Sequence, residues 1–173
     1  LRSLVGSEMC IRDRVSVMAN GLAGNAEITE KNADFDLFKK ALYVVMENMT
    51  KMLAADGEGA SKFLECSCDG APDQETAIVV AKSVIRSPLF KCAMFGEDAN
   101  WGRILCAMGY SGAAFDPDKV DLYFESKGGK IKLIENGVAL DYSEEEATKI
   151  LSEDAVTAIA DVKLSLIHIS EPT

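Results

Sequence analysis

The run Asp56-Gly57-Glu58-Gly59 sets a carboxylate between two glycines. Glycines at alternate positions favour an irregular loop and let another group approach the backbone closely. On residue type alone, Glu58 reads as a solvated loop acid or as part of a calcium loop, and the spacing fails the EF-hand pattern. Asn100-Trp101-Gly102-Arg103 is the second candidate. There the arginine can pair with a substrate carboxylate while Asn100 and Trp101 line a cleft. The alternative makes Asn100 a helix cap, Trp101 core and Arg103 an ion-pair partner. Lys62 and Lys91 read as surface or loop-anchoring groups. Cys66 and Cys68 stand one residue closer than the Cys-x-x-Cys of ribbons and redox sites, so they read as small buried hydrophobes. Glu144-Glu145-Glu146 suits a helix N-terminus, where the dipole favours acid, and no metal site is expected.

These residues must be carried by an ordinary globular chain. It has 173 residues, 48% hydrophobic and 27% charged, enough to bury one or two modest cores. With 18 basic against 28 acidic residues the net charge is -10, which repels nucleic acid and anionic lipid. No apolar run reaches a membrane span's length, and the N-terminal stretch lacks a signal peptide's apolar core. Five cysteines without zinc-ribbon spacing suggest reduced thiols and a cytoplasmic location.

From Asn32 or Asp34, the positions Phe35, Phe38, Leu42, Val45, Met49 and Leu53 recur at helical spacing, so a long helix is expected to end near Ala55. A strand with Leu64, Cys66 and Cys68 on one face follows. Pro72 is expected as the first residue of a second helix, buried through Ala77, Val80, Ala81 and Val84 and stopping before Ser87-Pro88. A third helix begins at Asn100 and ends near Gly109. Leu122 and Phe124 mark a strand, Gly128-Gly129 a turn, and Ile131 and Leu133 a strand running into the Asn136-Gly137 hairpin signal. Ser143 and Glu146 form a capping box for a helix through Leu151, and Val156, Ala158, Ala160 and Val162 alternate as a closing strand. The expectation is α+β, a mixed sheet with helices packed on it.

Four stretches carry a family resemblance: Ala19-Asn20-Gly21, Asp56 to Phe63 (DGEGASKF), Ser87 to Lys91 (SPLFK) and Phe95 to Ile104 (FGEDANWGRI). In order and spacing they resemble the ornithine acetyltransferase (glutamate N-acetyltransferase) family of arginine biosynthesis. The sequence departs from that pattern at Ser61, where the family carries threonine, and at Ala99, where it carries proline. The resemblance implies an ornithine-acetyltransferase-like fold and a precursor that cleaves itself before a threonine. That threonine takes the acetyl group of N-acetylornithine and passes it to glutamate. It lies in an Ala-Thr-Met-Leu stretch that this chain lacks, and Thr50, in mid-helix, does not replace it. No catalytic residue is therefore expected within the chain, which by itself should be inactive.

Glu58 matches the family's substrate-binding glutamate, with Asn100 and Arg103 as further cleft candidates. No cofactor is implied; acetyl-CoA enters as co-substrate in the bifunctional enzymes. The implied partners are N-acetylornithine, glutamate and an α chain from the same precursor in an α2β2 heterotetramer. Rival readings are a noncatalytic α+β binding or assembly module and an N-terminal-nucleophile hydrolase of related fold. Residues 1–14 and 165–173, which include His168, the sole histidine, resemble translated sequencing-adapter read-through and are set aside as non-native tails. Between them, residues 15–60 are expected to end a nucleophile-bearing domain and residues 61–164 to form a truncated α/β domain.

Overall fold

Asn32 starts the longest helix. Its side chain accepts a hydrogen bond from the Phe35 N–H at 3.0 Å, which satisfies one of the amides that a helix N-terminus leaves unpaired. The helix α1 (Ala33–Ala55) runs to the glycine loop, where the Asp56 N–H closes on the Met52 carbonyl. The computed structural model describes residues 15–57 and 59–164, and the backbone alone of 167–172. It divides into two units, residues 1–60 and 61–173. In the first, α1 has no buried residue. The expected stripe of Phe35, Leu42, Val45, Met49 and Leu53 is half-buried, but Phe38 stands exposed with Leu37, Val44 and Met52.

The second unit is built on a six-stranded sheet in the order β4-β3-β2-β5-β1-β6. Its strands are β1 (Phe63–Ala71), β2 (Asp121–Ser126), β3 (Gly129–Glu135), β4 (Val138–Ala139), β5 (Ala155–Asp161) and β6 (Ile167–Pro172). β1 and β5 are parallel, with Cys66 opposite Ala158, and the other pairings are antiparallel. Leu64, Cys66 and Cys68 alternate into the core as their spacing predicts, and so do Val156, Ala158 and Ala160 on β5.

The helices α2 (Gln74–Arg86), α3 (Pro88–Phe95), α4 (Trp101–Gly109) and α5 (Glu144–Leu151) cover this sheet. α2 packs on β1 and β6 and against α3 and α4, while α5 packs on β2 and β3. Ala77, Val80, Ala81 and Val84 of α2 are wholly buried. Ser143 caps α5 by accepting from the Glu146 N–H at 3.3 Å.

Two expectations are corrected. Pro72 lies before the second helix, not in it: Asp73 caps at 2.8 Å from the Thr76 N–H, so the helix begins at Gln74. Ser87-Pro88 was expected only as a stop, yet it also starts α3. The Ser87 N–H closes α2 on the Val84 carbonyl, its hydroxyl accepts from the Phe90 N–H at 3.4 Å, and Pro88 takes the first-turn position where no amide is needed. Within the segment set aside as a tail, the backbone of Ile167–Pro172 pairs with β1 as an antiparallel strand. The backbone groups on that edge of β1 require partners, and a β-branched segment close behind in sequence can supply them.

Candidate functional site

The glycine loop leaves α1 through a turn in which the Ala60 N–H meets the Gly57 carbonyl at 2.8 Å, with Gly59 at φ +73°. Glu58, the expected substrate contact, lies outside the described residues. Four residues on, Lys62 is firmly held. Its ammonium donates to the Leu151 carbonyl at 2.8 Å and faces the Glu97 carboxylate at 3.4 Å, with the side chain 11% exposed. Leu151 ends α5, so the lysine sits where a helix dipole favours a cation. The Phe63 N–H then bonds the Asp154 carbonyl at 2.7 Å, which brings the chain into the sheet. Lys62 is thus a loop anchor, as its type suggested.

The Phe95 to Ile104 stretch turns between α3 and α4. Gly96 closes α3, Glu97 takes a left-handed φ of +53°, and the Asp98 N–H returns to the Ala93 carbonyl at 2.9 Å. Asn100 caps α4: its Oδ1 accepts from the Arg103 N–H at 3.2 Å, and its Nδ2 donates to Asp98 at 3.0 Å. Arg103 donates from Nη1 to the Leu89 carbonyl at 2.7 Å, tying α4 to the first turn of α3. Both cleft candidates are therefore engaged in holding this turn, and Trp101 packs half-buried on the core.

A polar cluster that the sequence did not bring together forms where β2, β3 and the end of β5 meet. Asp121 is buried at 4% exposure and accepts from Lys163 Nζ at 2.6 Å and from the Asn136 N–H at 2.7 Å. Lys132 Nζ lies 2.9 Å from its other oxygen. Burial alone would raise this carboxyl, but the bonds from Lys163, Asn136 and Lys132 outweigh it and hold it at about 2. Glu135 bonds Lys132, and this contact with the Asp121 contact raises the lysine above its ordinary value. The described partners come from β3, the turn that follows it and Lys163 just beyond β5, which marks the cluster as a lock on the hairpin.

The thiols are divided. Cys66 and Cys68 are fully buried, whereas Cys92 and Cys106 are exposed. Burial, with Asp69 and Asp161 nearby, pushes the Cys68 thiol up to about 12, where it is neutral and inert. Among the described residues no group of three or more His, Cys, Asp or Glu is arranged to hold a metal, and no helix is long and apolar enough to cross a membrane.

Comparison with known proteins agrees with the motifs. A family model described as "ArgJ family" matches residues 4–168. The arginine biosynthesis bifunctional protein ArgJ of Thermotoga neapolitana is 46% identical over 159 residues, 92% of this chain and 40% of its own length. Its mitochondrial namesake in Schizosaccharomyces pombe is 38% identical over 160 residues, 91% of this chain and 36% of its own. The crystal structure of the Bacillus halodurans bifunctional protein superposes with a TM-score of 0.82 at 36% identity, covering 98% of this chain and 78% of that one. The chain spans about 40% of the length of such relatives. The four motifs all lie within the matched region, and the chain belongs to the ArgJ family, the ornithine acetyltransferases that its motifs resemble.

Proposed function

We propose that this chain is a scaffold and substrate-contact segment of an enzyme that moves an acetyl group from N-acetylornithine to glutamate. The observation that carries this reading is the 46% identity over 92% of the chain to a relative named for arginine biosynthesis. In the proposed cycle a threonine contributed by the same precursor, outside this chain, attacks the acetyl carbon of N-acetylornithine. Its hydroxyl proton passes to the departing ornithine amine, and an acetyl ester remains on the threonine. The amine of glutamate then attacks that ester, forming N-acetylglutamate and restoring the hydroxyl. A threonine activated by its own terminal amine needs no histidine.

Glu58 is assigned to the amino group of the bound amino acid, which a charge-assisted bond would both hold and orient. No cofactor is required. The word "bifunctional" in the relatives' names favours acetyl-CoA as an additional acetyl donor. The threonine-bearing α chain and a second αβ pair would complete an α2β2 heterotetramer, in the cytoplasm. The test is Glu58→Ala in the intact precursor. It should raise the KM for N-acetylornithine by about ten- to a hundredfold, the worth of one charge-assisted bond, and leave kcat within a few fold. An unchanged KM would remove Glu58 from the site. The chain by itself should show no acetyl transfer, and turnover by it would overturn the proposed division of labour.

A further inference from the structure

A cleft of about 500 Å³ opens on the second unit, apart from the glycine loop and the Phe95 to Ile104 turn, lined chiefly by Val79, Lys82, Arg86, Tyr110, Ser111 and Pro88 of the Ser87 to Lys91 stretch. That volume lies within the range of small-molecule sites. Lys82 and Arg86 are one helical turn apart on α2, so two cations share one face. Like charges at this spacing oppose each other, by about 0.2–0.5 kcal/mol in isolated helices. Arg86 has no hydrogen bond or ion pair with any described residue, whereas the other described arginine, Arg103, has one. A basic residue in the last turn suits the helix dipole. That accounts for the charge of Arg86 but not for the shape around it.

Tyr110 completes the arrangement. Its N–H closes α4 at 3.2 Å from the Cys106 carbonyl, and this cap position leaves the ring 59% exposed at the cleft. Val79 and Pro88 supply further apolar wall. A guanidinium fork matches two oxygens of a phosphate, and an exposed tyrosine ring offers a face to a planar group. In a chain of net charge -10, this local pairing of cations selects against the protein's own prevailing charge and for an anionic ligand.

We propose that this cleft binds a phosphate monoester carried on a planar body, with Arg86 holding the phosphate and Tyr110 stacking on the ring system. The assignment is independent of the acetyl-transfer reading. The test is calorimetric titration of the chain with adenosine 5′-monophosphate, adenosine and inorganic phosphate in low salt. The monophosphate should bind with a Kd below about 1 mM and at least about tenfold more tightly than either fragment. Arg86→Gln should weaken it about tenfold or more, Tyr110→Leu should weaken it several-fold, and neither exposed substitution should shift the thermal midpoint appreciably. Raised salt should reduce the affinity of the unsubstituted chain more than that of Arg86→Gln. No binding of the monophosphate, or equal binding by unsubstituted and Arg86→Gln chains, overturns the proposal. Equal affinity for inorganic phosphate overturns the planar-body assignment.

Discussion

Asp121 is a carboxylate taken out of water and held by two ammonium groups and a backbone amide. Because its folded value of about 2 lies below the ordinary 3.8, its contribution to stability is present above the ordinary value and is lost as the pH falls through 3.8 toward 2. The difference corresponds to about 2 kcal/mol. Denaturant unfolding at pH 5 and pH 2 should show this loss, and Asp121→Asn should be weaker by about that amount at pH 7 while losing part of the acid sensitivity. An Asp121→Asn protein as stable as the parent at neutral pH would contradict the lock. Charge count alone did not reveal this group, because Asp121, Lys132 and Lys163 lie on separate strands or strand ends. Asn100 was legible as a helix cap, and the bond its Oδ1 accepts from the Arg103 N–H bears that out.

The hairpin of β3 and β4 shows how a local signal acquires tertiary cost. Asn136 at φ +48° and Gly137 at φ +75° form the turn that the Asn-Gly pair predicts. A Cβ at Gly137 would also lie 2.6 Å from the Pro117 carbonyl oxygen and 2.7 Å from the Asp118 Cα, both backbone atoms that cannot swing aside. Gly112, at φ +81°, meets nothing within 4 Å. Gly112→Ala should therefore cost about 1 kcal/mol, from the left-handed backbone alone. Gly137→Ala should cost clearly more, about 2 kcal/mol or above, when the two variants are compared by urea unfolding. Equal costs would show that the neighbouring turn yields. α3 was missed for the opposite reason: the Ser-Pro pair that ends one helix also satisfies the requirements for starting the next, and only the path of the chain after Pro88 distinguishes stop from restart.

The chain's two units differ in how they treat apolar surface. The second closes a core around Phe124, Leu122, Leu133, Ile150 and Phe90, each at most 1% exposed. In the first, Leu37 and Phe38 are 68% and 58% exposed, and Val44 and Met52 are also uncovered. Apolar patches of this kind drive association in water. Leu37→Glu with Val44→Glu should therefore lower light scattering of the concentrated chain and leave the unfolding midpoint of residues 61–173 unchanged. Scattering that is unaltered would show that other surfaces cause association. The amino-acid order by itself determined the long helix, the alternating strands, the hairpin, the capping box at Ser143, the short choice of cap candidates that included Asn32 and Asn100, and the family motifs. Those features rest on interactions among residues a few positions apart, so their periods and capping residues are written locally. Tertiary structure alone decided the sheet order, the parallel pairing of β1 with β5, the addition of Ile167–Pro172 at the edge, the Asp121 lock and the cationic cleft between α2 and α4. Each of these joins groups far apart in the chain, and such a meeting is set by how whole elements pack, which no short stretch of sequence records.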